Sequence, residues 1–248
     1  MTLPVRDKSE DVKARAADPA LSGLFDALYR NASPEDLTRY AQQELAELAR
    51  LVFARATARG PDETLVALFD PSQETAVYTH NDTILVAINN DAPFLFDSLM
   101  AEVNVHGARL RAVFHPIVMM GGRKTSVIVL VLDAVIGEER RAALVRGAEA
   151  AFAQVAVAVR DWRAMQQRLG EAIAELKAHP SLASADELSE SVGFLEWLGD
   201  NHFTFLGSRD YAFLGEGDGR LEPVEGSGLG VLADRDARVV RRGKTTRN

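Results

Sequence analysis

Histidines, glycine-rich loops and paired carboxylates are where chemistry could reside in this chain of 248 residues. The five histidines, His80, His106, His115, His179 and His202, are scattered and have no metal-ligand spacing. His115 sits inside a strand-like segment and reads as a hydrogen-bonded structural residue. Cysteine is absent. That excludes a disulfide framework, an iron–sulfur cluster, a Cys-based zinc site and a Cys nucleophile, and it suits a reducing cytoplasmic setting. Gly226-Ser227-Gly228-Leu229-Gly230 has the wrong spacing for a dinucleotide loop. Gly215-Glu216-Gly217-Asp218-Gly219 lies between hairpin-like segments rather than between a strand and a helix. Asp186-Glu187 and Glu138-Glu139 open helices, where the helix dipole accounts for them. The expectation is therefore no catalytic, cofactor-binding or metal-binding residue in this chain.

One segment stands apart. Asn89-Asn90-Asp91-Ala92-Pro93-Phe94-Leu95-Phe96-Asp97-Ser98 joins a buried strand to a helix. Asn and Asp can bond neighbouring backbone, and Pro93 sets the turn into the helix, so a capped turn is one reading. The other is a small-molecule site. Free amides at a helix N-terminus favour an anion such as an amino-acid carboxylate. Its candidate residues are Asn90, Asp91, Pro93, Phe94, Asp97 and Ser98.

The elements that must position this segment follow from periodicity. Asp18-Pro19 opens a short amphipathic helix. Ser33-Pro34-Glu35-Asp36 opens another, whose stripe of Leu37, Ala41, Leu45, Leu48 and Val52 predicts one helix to about Ala58. Residues 64–69 and 74–78 read as a hairpin around Asp70-Pro71-Ser72. Thr83 to Ile88 is a nearly continuous apolar run, as in a buried strand. A helix from Pro93, a strand over 109–120, a Gly121-Gly122 turn and a strand over 126–132 come next. The order strand, helix, strand, strand, helix gives an α+β fold class, the start of a ferredoxin-like βαββα unit with an antiparallel sheet.

Such a unit ordinarily ends in a fourth strand, and Val155, Val157 and Val159 alternate. Against that, Leu144, Ala148, Phe152, Val155, Val159, Trp162, Met165, Leu169, Ile173 and Leu176 keep helical spacing without interruption. The prediction is one long helix, or two nearly collinear ones, over 138–178, about 60 Å long. Another helix follows over 185–200, and His202–Gly207 is expected to pair with Tyr211–Leu214. The organisation read from this is an N-terminal helical segment over 1–60, an α+β domain with a long C-terminal helix over 61–180, which the resemblance below implies is ACT-like, the start of a second α+β domain over 181–232, and a basic, disordered tail over 233–248. Residues 1–17 read as a frayed helix.

Composition narrows the partners. The charge is −8, from 28 basic and 36 acidic side chains. The end of the chain, 235–248, holds six basic residues and one acid, so residues 1–234 carry −13. An acidic body argues against nucleic acid. No uninterrupted apolar run approaches the roughly 20 residues of a membrane span, and the first eleven residues lack the apolar core of a signal peptide.

Five stretches, in order, resemble one family. Asn90-Asp91-Ala92-Pro93-Phe94-Leu95-Phe96-Asp97-Ser98 is similar to the N-D-x-P-F-L-x-D-S segment of the large bacterial NAD-specific glutamate dehydrogenases. Phe114-His115-Pro116-Ile117 resembles their h-H-P-h strand, and Val159-Arg160-Asp161-Trp162-Arg163-Ala164-Met165 their V-x-D-W-x-x-M helix. Phe194-Leu195-Glu196-Trp197-Leu198 with Asn201-His202-Phe203-Thr204-Phe205-Leu206-Gly207 resembles F-L-x-W-L … D-H-F-T-F-L-G. Gly226 to Leu232 resembles G-S-G-L-G-h-L. The departures are Ala92, Asn201 for aspartate and Ser208 for tyrosine. The resemblance implies a far longer parent chain that converts L-glutamate, NAD and water to 2-oxoglutarate, ammonia and NADH, with its catalytic and NAD-binding domains towards the C-terminus. It implies an ACT-like regulatory or assembly role here, NAD only in the parent, an amino-acid effector beside Asn90, self-association, and the remainder of the dehydrogenase as partner. A purely architectural region without a ligand is the alternative. The basic end does not resemble the family's continuation and reads as an early stop, a shifted frame or a cut fragment.

Overall fold

Asp18 caps the first helix, α1 (Pro19–Arg30): its carboxylate accepts the N–H groups of Ala20 (2.9 Å) and Leu21 (3.3 Å). The computed structural model describes residues 18–179, 184–215 and 220–234. The expected frayed helix over 1–17 lies outside the described residues, as does the expected tail over 233–248 apart from its first two residues, of which Ala233 ends a 3-10 turn. Ser33 caps α2 (Pro34–Thr38), and α3 follows (Gln42–Ala58). One helix was the expectation from residue 33 to 58; the chain instead breaks at 39–41. There Tyr40 turns into the core, and the Glu44 carboxylate accepts the Ala41 N–H (2.8 Å) to start a new helix.

The sheet follows from strands β1 (Leu65–Phe69), β2 (Asp82–Asn90), β3 (Leu110–Phe114), β4 (Ile117–Met120) and β5 (Arg123–Asp133). All pairings are antiparallel, in the order β1-β2-β5-β3, with β4 continuing along β5 beyond β3. Helix α4 (Pro71–Glu74) follows β1, α5 (Leu95–Val105) joins β2 to β3, and α6 (Glu138–Ala178) follows β5. This is the expected α+β unit. No strand interrupts α6, as its apolar register predicts. The place beside β2 that a fourth strand would fill is taken from the other direction in sequence, by β1.

Two details differ from the expectation. Residues 64–69 and 74–78 do not form a hairpin. Asp70-Pro71 starts a helical turn, closed by Thr75 N–H on the Pro71 carbonyl (2.9 Å), and β1 pairs with β2 instead. The strand over 109–120 is divided at His115-Pro116, since proline has no N–H for the ladder. Its carbonyl still accepts the Val127 N–H (3.0 Å).

Both faces of the sheet are covered, which is why β2 and β5 read as continuous apolar runs. Ile84, Val86, Ile88, Val127, Val129 and Val131 share one core with Leu24 and Leu28 of α1 and Leu45, Leu48 and Val52 of α3. Tyr29 ties the two helices by donating to the Leu45 carbonyl (2.8 Å) and packs edge-on against Phe114. Leu85, Ala87, Ile128, Leu130 and Leu132 are buried on the opposite face, as are Leu95, Leu99 and Val103 of α5 and Leu144, Ala148 and Phe152 of α6. Arg140 locks α6 to α5 through the His106 (2.9 Å) and Gly107 (3.1 Å) carbonyls.

A polar clamp closes one end of the sheet. Asp82, fully buried at the start of β2, accepts from Tyr78 (2.8 Å) and Tyr40 (3.2 Å) on one oxygen and pairs with Arg111 of β3 (3.0 Å) on the other. Burial first, then the neighbouring carboxylate, raises the Tyr40 hydroxyl to about 12 and pushes Tyr78 higher still. Beside it, Asp70 accepts from Thr83 (2.7 Å) and Arg141 (2.9 Å), and the Thr83 hydroxyl accepts the Val135 N–H (2.9 Å). Glu44 accepts both the N–H and the hydroxyl of Thr79 (2.9 and 2.8 Å).

The chain divides into two compact units, Met1–Phe152 and Ala153–Asn248, at a point inside α6. By length and composition alone α6 could cross a membrane: a window of it has mean hydropathy 1.4, though Leu144, Ala148 and Phe152 belong to the first unit's core. The second unit continues with α7 (Ala185–Trp197), a π-helical turn (Leu198–His202), β6 (Gly207–Ser208), β7 (Tyr211–Leu214), β8 (Arg220–Pro223), β9 (Leu229–Gly230) and a 3-10 turn (Val231–Ala233). The expected pairing of 202–207 with 211–214 is absent. β6 pairs with β9 and β7 with β8. The helix runs on to His202, and Gly207 meets Gly230, where φ is +59° and any Cβ would lie 2.2 Å from the Leu206 carbonyl oxygen.

Asp82→Ala is expected to lower unfolding free energy by about 3 kcal/mol, read from denaturant midpoints, because two buried hydroxyls lose their acceptor and Arg111 loses an ion-pair partner. Glu44 gives a second prediction. Burial pushes its carboxyl up, but the Thr79 and Ala41 N–H groups, the Thr79 hydroxyl and His80 outweigh burial and hold it low. A lowered folded-state value contributes stability above the ordinary carboxylate range and loses it as pH falls through that range. The stability gap between wild type and Glu44→Gln should therefore be largest near neutral pH and close below about pH 4.

Candidate functional site

The other end of β2 carries the candidate segment. β2 pairs with β5 as far as Asn90 opposite Thr125, and the Asp91 N–H then donates to the Lys124 carbonyl (2.9 Å). The Asn90 side chain is occupied: its oxygen accepts from Arg59 (2.9 Å), and its nitrogen donates to Asp62 (3.1 Å), which also pairs with Arg123. Asn90 thus ties the β2 terminus to the segment leaving α3. Arg59, the residue that holds it, lies 31 positions earlier, so no local spacing could reveal the pair.

Pro93 does not begin the helix. α5 starts two residues later, and its N-cap is Phe94, with φ +69° and no side-chain cap bond. Phe94 is the sole non-glycine residue with positive φ among the described residues. An aromatic residue in that region is uncommon and strained by about 1–2 kcal/mol. Its ring is 45% exposed, so core packing does not account for the conformation. The Ser98 N–H donates to the Phe94 carbonyl (3.0 Å), the first helical bond, which leaves the earlier amides of the turn without an intrahelical carbonyl. Asp91, Pro93 and Asp97 are exposed and Ser98 is half-buried.

His115 adjoins this segment from the β3–β4 break, hydrogen-bonded as its strand pattern predicts. Its ring stacks on Phe96 (centroids 5.3 Å apart, 15° between planes), and Nε2 lies 2.8 Å from the Ser126 hydroxyl. Burial lowers the His115 pKa, and the negative Asp91 nearby opposes this. Asp91, Phe96 and His115 therefore come together beside the uncapped helix start. The signal for His115 was the following proline, which ends one strand and begins another. Chemically, the site offers amides for an anion, carboxylates for a cation and an aromatic stack as a wall. Among the described residues no three His, Cys, Asp or Glu side chains form a metal-binding group.

The remaining landmark stretches hold the second unit together. Asp161 of α6 accepts the Gly230 N–H (2.9 Å) and pairs with Arg160, and these two contacts hold its carboxyl at about 2. Phe194 stacks on Trp197 (6.1 Å), which meets Phe203 edge-on (5.4 Å).

Comparison with known proteins points to one family. The ACT1 domain of glutamate dehydrogenase matches residues 24–145. Over those residues the chain is similar to the glutamate dehydrogenase ACT1 domain. Two curated relatives are NAD-specific glutamate dehydrogenases. That of Halomonas elongata is 27% identical over 197 residues, covering 69% of this chain and 12% of the relative. That of Pseudomonas aeruginosa is 27% identical over 190 residues, covering 68% and 12%. The chain thus spans about 12% of the length of the curated relatives it matches. The matched ACT1 segment takes in most of α1, all of α2 and α3, the whole sheet and the start of α6, so the helices over the first sheet face are part of the domain.

Relief of strain at Phe94 is expected to offset most of the lost ring contacts. Phe94→Gly should change unfolding free energy by less than about 1 kcal/mol, whereas Leu95→Ala, which empties a buried position, should cost about 2–4 kcal/mol in the same denaturation experiment.

Proposed function

We propose that this ACT1 domain is a non-catalytic regulatory and assembly part of a large cytoplasmic NAD-dependent glutamate dehydrogenase. The parent reaction is L-glutamate, NAD and water to 2-oxoglutarate, ammonia and NADH, with NAD held elsewhere in the parent. An amino-acid effector binds at the β2–α5 turn. The observation that carries this reading is the uncapped start of α5, set by a strained Phe94 next to Asp91 and the Phe96–His115 stack. The α-carboxylate lies against the first-turn amides, Asp91 and Asp97 face the α-ammonium, and Phe94 and the stack contact the side chain. Pro93 fixes the turn and the Ser98 hydroxyl adds a polar contact. Asn90 holds the β2 terminus in place.

Self-association uses the free edge of β4, where Ile117 and Met119 are 55% and 65% exposed on an edge that lacks a partner strand among the described residues. The second reading is a scaffold without ligand, and the full use of Asn90 by Arg59 and Asp62 favours it at that position. Calorimetric titration of the chain with the common amino acids separates the two. The effector reading expects saturable heat and a thermal shift for at least one of them, at least tenfold weaker binding in Asp91→Ala, and unchanged unfolding of that variant. No heat and no shift with any amino acid leaves the scaffold.

A further inference from the structure

A cavity of about 510 Å³ opens in the second unit, against the turn that follows β8. Its polar lining is the Arg209 guanidinium, the Glu225 carboxylate and the backbone of Gly226 and Gly228. Pro223, Val224, Leu232 and Ala233 supply the apolar lining. The Ser227 N–H donates to the Val224 carbonyl (3.3 Å), and Gly226, third residue of this turn, has φ +76°. The Ser227 hydroxyl fixes the turn: it accepts the Asp210 N–H (3.1 Å) and donates to the Val224 carbonyl (2.7 Å). A Cβ at Gly228 would lie 2.3 Å from the Leu232 carbonyl oxygen, whereas one at Gly226 would meet nothing within 4 Å. The chain is thus pressed together at Gly228 and open beside Gly226.

Two features of the lining call for an anion. Arg209 is half-buried and donates to the Leu232 carbonyl through Nε (3.1 Å) and Nη2 (2.5 Å), and to the Asp234 carbonyl through Nη2 (2.6 Å). Carbonyl dipoles satisfy N–H groups without neutralising the charge, and among the described residues no carboxylate pairs with this guanidinium. The Gly226 and Gly228 N–H groups likewise have no acceptor among the described residues. We infer that this cavity binds a small aliphatic monocarboxylate, its carboxylate between Arg209 and the two glycine amides and its chain against Val224 and Leu232. Small-molecule sites are commonly clefts of roughly 300–1,000 Å³ that set a few polar groups among apolar walls. An Arg–carboxylate contact is charge-assisted and geometrically selective. Glu225 in the same lining repels a second negative charge, which favours one carboxylate over a phosphate or a dicarboxylate. The site is built from residues 209–233 alone and does not depend on the function proposed above.

The test titrates the isotope-labelled full chain with sodium isocaproate and follows the Gly226 and Gly228 amides by NMR. The expected result is a saturable shift at both. Binding should be about tenfold weaker or more for Arg209→Gln, for Val224→Glu, and for the neutral isocaproamide on the wild type. Val224 is 44% exposed, so Val224→Glu tests the cavity in a folded chain where Arg209→Gln also frees residues 232–234. No saturable shift at either glycine with isocaproate overturns the inference. Inorganic phosphate or isocaproamide binding as tightly as isocaproate overturns the ligand class, and Val224→Glu binding like the wild type overturns the placement.

Discussion

Everything in the first unit hangs on one buried carboxylate. Asp82 is the first residue of β2, the strand whose two neighbours are β1 and β5. Its oxygens gather Tyr40 from the break before α3, Tyr78 from the approach to β2 and Arg111 from β3. A charge removed from water is costly unless it is paired and hydrogen-bonded. The clamp is therefore satisfied only when the helical layer, the strand approach and the far strand are all in place together. The neighbouring Asp70, Thr83 and Arg141 contacts extend the same logic to the exit of β1 and the start of α6. Hydrophobic burial supplies the driving force for the three layers, and these directional contacts set which residues meet.

Such anchoring at one end explains what the other end can tolerate. β2 is nine residues long and runs straight from the clamp to Asn90. Its central pairs with β5 are fully buried, so the strand delivers Asn90 and Asp91 to a fixed place. A rigid strand can then carry a turn that is locally unfavourable, with Phe94 in the left-handed region and no side chain capping α5. Strain of that kind persists only where the surroundings over-determine it. The tie from Arg59 through Asn90 to Asp62 supplies part of that determination from outside the sheet.

What was legible in the sequence was the information carried by short-range periodicity. The long α6, the buried β2 and β5, the cap at Asp18 and the strand–helix turn at residues 90–98 all follow from spacing within a few turns or pleats. Contacts between distant segments were invisible. β1 read as half of a local hairpin because a strand's pairing partner is not written in its own residues. Its actual partner, β2, is chosen because that edge of the sheet would otherwise be open. The break at Tyr40 was hidden in the same way, since the helical stripe continues through it and only the long-range bond to Asp82 turns the ring inward. His115 reads from its strand pattern as a hydrogen-bonded structural residue, and it bonds the Ser126 hydroxyl; its stacking on Phe96, nineteen positions earlier, was not legible. Of the candidate residues, Asn90 gained a structural explanation, and Phe94 gained a conformation that a cap alone does not require.

The way the sheet is completed bears on how the domain can associate. β1 precedes β2 in the chain yet lies where a final strand would otherwise sit, so the sheet is finished before α6 begins. α6 is then free of the duty to lead back into the sheet and can continue beyond the first unit's core, contributing Asp161 and Arg168 to the second. With both sheet faces already buried under helices, face-to-face stacking of two such sheets is closed off, because α1 and α3 occupy one face and α5 with the start of α6 the other. Among the described residues the outer edges of β1, β3 and β4 keep unpaired N–H and C=O groups, and on β4 the exposed Ile117 and Met119 lie beside that row.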